Sequence, residues 1–240
     1  MPYQIQNILR FKKPHIRVHI SQHRILGQPP QILQVDSFPP PNLSSIRLTE
    51  FWDDVRGLQD LLASSIQLQT LDLCRSVRFM TGLRRLPPIK DLTLRAWPYE
   101  KNQVPEIWNF TQVKRLKLVE MPMQNFLDSL QPQSFANVTK LEYENTRCVS
   151  LLCRLVVDIN HLEELDVICL APTELIPALE RHGDTLRILR LRDLSGRRPQ
   201  MDERRIKEIA RLCPNLNSLE LDLEFSVRAQ HVEVISPLNL

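Results

Sequence analysis

Glycine is scarce in this chain: 240 residues hold five, Gly27, Gly57, Gly82, Gly183 and Gly196, and no two lie closer than 13 positions. Loops that cradle phosphate need closely spaced glycines, so that backbone N–H groups approach the anion without side chains in the way. Their absence excludes the dinucleotide fingerprint, the P-loop and the nucleophile elbow of α/β-hydrolases.

Long hydrophobic runs are missing too. No apolar stretch approaches the ~20 residues needed to cross a bilayer, and no signal-peptide core stands near the N-terminus. The expectation is a soluble intracellular protein, cytoplasmic or nuclear, with no membrane partner. The five cysteines, Cys74, Cys148, Cys153, Cys169 and Cys213, are odd in number and lack metal-site spacing, which reads as reduced thiols. Three Asn-x-Ser/Thr sequons begin at Asn42, Asn109 and Asn137, and without a secretory signal they are expected to stay unmodified.

Charge of either sign is never in large excess. With 31 basic and 28 acidic residues the formal net charge is +3, too small to point to nucleic acid. Its distribution is uneven, because Arg10, Lys12, Lys13, Arg17 and Arg24 all precede the first acid, Asp36. Alternating apolar residues run through this basic start and read as a strand rather than a targeting peptide. His15, His19 and His23 would align on a helix as metal ligands. On a strand, residues four apart stand ~13 Å from each other, too far to share one ion. No metal, cofactor or catalytic residue is expected.

What the chain has in quantity is one repeated pattern, apolar-x-x-apolar-x-apolar. Its eight copies are Leu43/Ile46/Leu48, Leu68/Leu71/Leu73, Ile89/Leu92/Leu94, Val113/Leu116/Leu118, Val138/Leu141/Tyr143, Leu162/Leu165/Val167, Leu186/Leu189/Leu191 and Leu216/Leu219/Leu221. Between successive middle residues the intervals are 25, 21, 24, 25, 24, 24 and 30. Such a period marks leucine-rich repeats. The period-two core of each copy is a short strand with one buried face. The connections are long enough for crossovers, so the strands are parallel.

Several connections carry a helical stripe. Ile206, Ile209, Ala210 and Cys213 recur at i, i+3, i+4, i+7 behind Asp202 as N-cap, with Pro214 as the stop. Met123, Phe126, Leu127 and Leu130 repeat that spacing, and Val149, Leu152 and Val156 follow in the next connection. Pro177 is accommodated if Thr173 is the N-cap, since the fourth helical N–H has no partner inside the helix. Residues 97–112, with Pro98 and Pro105, are expected to be mostly loop.

The expected fold is an α/β leucine-rich-repeat solenoid, a horseshoe or arc with a concave parallel sheet and convex helices. Residues 1–40 form an irregular basic segment or atypical first repeat, and 41–240 the repeat domain. The stretches 175–194 and 206–223, above all helix-Cys-Pro-Asn-Leu-x-x-Leu-x-Leu, resemble the repeats of fungal F-box/leucine-rich-repeat proteins. That resemblance implies a ribonuclease-inhibitor-like array and a substrate-recognition role in a cullin-type ubiquitin ligase. A Skp-type adaptor would join only through an F-box outside this chain, because residues 1–40 do not read as one. Many such repeats place Asn or Cys three positions after the last strand leucine; here those positions hold Phe51, Ser76, Trp97, Met121, Thr146, Leu170, Leu194 and Glu224.

The candidate site is the set of side chains between the buried strand residues. Its central position runs Arg47, Asp72, Thr93, Lys117, Glu142, Asp166, Arg190, Glu220. Flanking positions make bands: Arg95, Arg115 and Lys117 basic; Glu142, Glu144, Glu164 and Asp166 acidic; Arg190 and Arg192 basic; Glu220 and Asp222 acidic. Lys117 with Glu142, and Asp166 with Arg190, stand close enough on neighbouring strands to neutralise each other. The expected function is non-enzymatic binding of a protein partner on this surface, with Arg197 and Arg198 adding a basic loop. A stand-alone scaffold or regulator and an RNA-associated repeat domain remain open as alternatives.

Overall fold

The computed structural model describes residues 16–20, 43–48, 62–74, 87–96, 110–128, 130, 134–146, 149–194 and 201–221. Its strands are β1 (Ile16–Ile20), β2 (Leu43–Leu48), β3 (Thr70–Cys74), β4 (Asp91–Arg95), β5 (Arg115–Val119), β6 (Lys140–Asn145), β7 (Glu164–Cys169), β8 (Ile188–Asp193) and β9 (Ser218–Leu221). They form one sheet in sequence order, each strand hydrogen-bonded to the next. All eight pairings are parallel. β1 lies in the basic segment, where apolar alternation predicts a strand, and pairs with β2.

The repeat pattern sets the register. Ile46, Leu71, Leu92, Leu116, Leu141, Leu165, Leu189 and Leu219 stand opposite one another across successive strands. From Ile46 to Leu189 this row is at most 1% exposed, as is the row from Leu73 to Leu191 two residues on. Burying one leucine contributes about 2 kcal/mol, and a one-residue slip would turn both rows to solvent. At β9 the pattern loosens: Leu219 is 40% exposed, because among the described residues β9 has a neighbour on one side only.

Behind the buried face lie the connections. α1 (Met123–Asp128) buries Met123, Phe126 and Leu127, and α2 (Val149–Asp158) buries Val149, Leu152, Leu155 and Val156. α3 (Glu203–Leu212) starts as its sequence predicts, with the Asp202 carboxylate accepting the Arg205 N–H at 2.9 Å. Phe110, Phe126 and Phe135 make a ring cluster with centroids 5.3–6.2 Å apart, which fixes the connections flanking β5 against each other.

The segment around Pro177 departs from expectation. Pro172–His182 is an 11-residue 3₁₀ helix, its N-cap is Ala171 with φ 53°, and Thr173 is buried inside it. Runs of 3₁₀ this long are uncommon. Pro172 opens the segment, where a missing N–H costs a helix nothing, and Pro177 inside it removes one backbone donor. Held behind β7, the segment packs Leu175, Ile176 and Leu179 inward regardless. Residues 97–109 and Leu48's side chain lie outside the description; Phe110–Gln112 is a single 3₁₀ turn.

No residue of an asparagine ladder stands three positions past the strand leucines, yet bonds from side chain to neighbouring backbone do occur elsewhere. Just before the first apolar residue of a copy, Asn137 donates to Thr111 O, Thr185 Oγ1 donates to Leu162 O at 2.8 Å, and Asn215 donates to Asp184 O at 3.2 Å. At the other strand end the buried Asn145 donates to Met121 O at 3.0 Å. Each ties one repeat's turn to the turn before it.

Two strand ends share a left-handed residue, Ala96 at φ 45° and Glu120 at φ 50°. Their N–H groups donate to Val119 O and Glu144 O, both at 2.7 Å. A Cβ in this region costs about 1–2 kcal/mol, so Ala96→Gly should raise the unfolding free energy by about 0.5–1 kcal/mol after the entropic loss of glycine. Urea denaturation would measure it, and a lowered midpoint would contradict the assignment.

Candidate functional site

Opposite the buried face, three rows of side chains share one surface of the sheet. The first runs Thr70, Asp91, Arg115, Lys140, Glu164, Ile188 and Ser218; the second Arg47, Asp72, Thr93, Lys117, Glu142, Asp166, Arg190 and Glu220; the third Cys74, Arg95, Val119, Glu144, Ile168 and Arg192. Among the described side chains of β2–β9 the charges balance one for one: Arg47, Arg95, Arg115, Lys117, Lys140, Arg190 and Arg192 stand against Asp72, Asp91, Glu142, Glu144, Glu164, Asp166 and Glu220.

Nearly all of them are paired within the face. Asp72 accepts Arg47 Nε at 2.8 Å, and Arg95 through Nε at 3.1 Å and Nη2 at 3.4 Å. Its side chain is 9% exposed, the least of these carboxylates, so two guanidinium groups replace the water it loses. Arg115 Nε lies 3.5 Å from Asp91. Lys117 Nζ donates to Glu142 at 2.8 Å, and Lys140 Nζ spans Glu142 at 3.4 Å and Glu164 at 3.1 Å. Asp166 accepts Arg192 at 2.9 Å and lies 4.0 Å from Arg190, which reaches Glu220 at 3.1 Å.

These contacts shift two groups. Burial opposes the charge on Glu142, but the Lys117 hydrogen bond and the fields of Lys117 and Lys140 outweigh it and hold its pKa below the ordinary value of 4.5. Burial likewise opposes the Lys140 ammonium, and the Glu164 hydrogen bond with the fields of Glu142 and Glu164 raises its pKa above 10.5. Exposed pairs of this kind contribute about 0–1 kcal/mol each.

Within and between the bands expected from sequence the ion pairs gather into four local clusters, in which opposite charges alternate. Lys140 is the residue the bands overlook: it sits inside the acidic block and joins Glu142 to Glu164. Arg47, Asp72 and Asp91 complete other clusters. The repeat phase itself finds Lys140 and Asp91, since the residue before each middle leucine forms a row of its own, while Arg47 and Asp72 already stand in the central row. Among the candidate residues, Arg95, Arg115, Lys117, Glu142, Glu164, Asp166, Arg190, Arg192 and Glu220 take part in these clusters. Glu144 has no ion pair or side-chain hydrogen bond among the described residues. Arg197, Arg198 and Asp222 lie outside the described residues.

Cys74, Cys153, Cys169 and Cys213 are free thiols, and Cys148 lies outside the description. Burial pushes the Cys169 thiol up to about 12 and Cys213 to about 11, so neither is a thiolate near neutral pH. Among the described residues no group of three or more His, Cys, Asp or Glu side chains is arranged to hold a metal ion. No helix among them is long and apolar enough to cross a membrane. Compared with known proteins, the chain matches no protein family, no curated protein sequence and no solved structure.

Proposed function

We propose that this chain is a leucine-rich-repeat solenoid whose polar sheet face, on the concave side, binds another protein without catalysing a reaction. The observation that carries this reading is the long in-register face itself, eight strands of side chains held by buried leucines and locked by mutual ion pairs. A stacked array presents an extended surface of this kind to partners. Its side chains are preorganised, so a partner meets fixed donors and acceptors and less side-chain entropy is lost on binding.

Charge balance favours a protein over a nucleic acid. Neutralising phosphates takes a surplus of exposed Lys and Arg, and among the described side chains of β2–β9 the bases on the face equal the acids in number. In keeping with the F-box/leucine-rich-repeat resemblance, the proposed role is substrate recognition for a ubiquitin ligase in the cytoplasm or nucleus. The Skp-type adaptor would then be supplied through an F-box in the same gene product.

Thr93 gives a direct test. It occupies the central row between Asp72 and Lys117, it is half-buried, and it makes no ion pair. Thr93→Trp places a bulky ring on the face and leaves the ion pairs intact. Affinity purification with mass spectrometry should recover a protein partner with the wild type and lose most of it with Thr93→Trp. Reversing the exposed Glu203–Lys207 pair on α3 should change nothing. Equal recovery with all three proteins would defeat the proposal, and recovery of a Skp-type adaptor would support the ligase role.

A further inference from the structure

Glu144 is the one carboxylate of the sheet face without an ion pair among the described residues. It stands in the third row between Val119 of β5 and Ile168 of β7, each one strand away and thus about 4.8 Å distant along the sheet. Both neighbours are only half-buried, although they lie on the polar side. Beyond Ile168 the strand ends carry Leu170 and Leu194, 40% and 46% exposed, at matching positions in successive repeats. The Leu194 N–H donates to Cys169 O at 3.0 Å, which sets the two leucines side by side. Glu120, just past β5, is joined to Glu144 through the backbone, its N–H donating to the Glu144 carbonyl at 2.7 Å.

We propose that this carboxyl-terminal rim of β5–β8 binds a segment of the partner protein in which a lysine or arginine adjoins an aliphatic or aromatic residue. The proposal rests on the reading of the sheet face as a protein-binding surface. Elsewhere among the described residues of the face each acid already holds a base, and an incoming cation would have to break an existing pair. At Glu144 it meets an unmatched charge. The long stem of lysine or arginine lies on apolar surface while its head reaches a carboxylate, which suits Val119, Glu144 and Ile168 in a row. Leu170 and Leu194 then cover the adjoining apolar residue and exclude water from the pair, the arrangement under which an interfacial charge pair gains strength.

Selection of a phage-displayed library of linear 12-residue peptides on the immobilised full chain tests the rim. Enriched peptides should carry Lys or Arg beside an aliphatic or aromatic residue. Binding of the best peptide should weaken about tenfold or more with Glu144→Lys, and by a similar factor with Leu194→Glu. Changing the peptide's basic residue to Glu should restore binding to Glu144→Lys. Glu144→Gln, which removes charge and keeps size, should also weaken binding, and serves if the lysine variant fails to fold. Three outcomes would overturn the proposal: enriched peptides without a basic residue, affinity indifferent to Glu144→Gln, or a dimer of this chain that Leu194→Glu dissociates. A cellular partner sensitive to Thr93→Trp but not to Glu144→Gln or Leu194→Glu would remove the rim and keep the face. Insensitivity to Thr93→Trp as well would remove both.

Discussion

Gly183→Ala should lower the unfolding free energy by about 3 kcal/mol, the upper end of what overpacking a filled interior costs. A Cβ built on Gly183 would stand 2.2 Å from the carbonyl oxygen of Leu212. Leu212 closes α3, and its oxygen belongs to the backbone, so no side-chain rotation relieves the clash. The whole helix would have to move away from the Pro172–His182 segment. The conformation of Gly183 is not the reason for glycine here, since its φ of −51° suits any residue. Close approach is. Urea or thermal denaturation with circular dichroism would measure the loss, and an unchanged midpoint would show that α3 does not seat on this segment.

One residue earlier, His182→Ala should cost a similar amount, about 3 kcal/mol, and should also change how stability depends on pH. His182 is fully buried. Its Nε2 lies 2.7 Å from Val156 O, and Leu162 N–H donates to its Nδ1 at 3.4 Å. Val156 is in the last turn of α2, where carbonyls lack partners within the helix. The ring thus carries its proton on Nε2, satisfies the helix end and accepts from the next strand's approach. Alanine would leave both backbone groups buried and unmatched.

Burial holds the His182 pKa below the ordinary 6.5; its bond to Val156 O acts the other way, and Arg181 and His161 add to the lowering. The unfolded chain therefore takes up a proton near pH 6.5, where the folded chain does not. Because the unfolded state binds more protons there, stability falls as pH drops below that value. The wild-type denaturation midpoint should decline between pH 7 and pH 5. In His182→Ala the midpoint should start lower and decline less over this window. Parallel declines in the two proteins would assign the effect to other groups.

The sequence makes the sheet legible because repeat phase and strand register are the same information. Leu71, Leu92, Leu116 and Leu141 differ by one period, so they face one another once the strands are parallel. Asp202 and Pro214 mark the bounds of α3 for similarly local reasons. The Pro172–His182 segment was less readable. Its apolar spacing fits an α-helix as well as it fits 3₁₀, and nothing in the residues themselves separates the two.

His182 had a signal, since it continues the stripe of Leu175 and Leu179 at i+7; that a histidine should serve as core there depends on two backbone groups supplied by other repeats. The face divides the same way. Which residues share it follows from alternation, but ion pairing depends on side-chain reach across two or three strands. Lys140 and Asp72 therefore gain their roles only when Glu164, Glu142, Arg47 and Arg95 are placed around them.

The central claim, that the polar sheet face is where another protein binds, is tested most directly by covalent capture. A photo-crosslinking amino acid would be placed at Thr93 on the face and, in a second protein, at Val157, which is 42% exposed on α2 behind the sheet. Irradiation in cell extract should attach a discrete protein partner to position 93 and none to position 157. A partner captured from position 157, with nothing at position 93, would contradict the account.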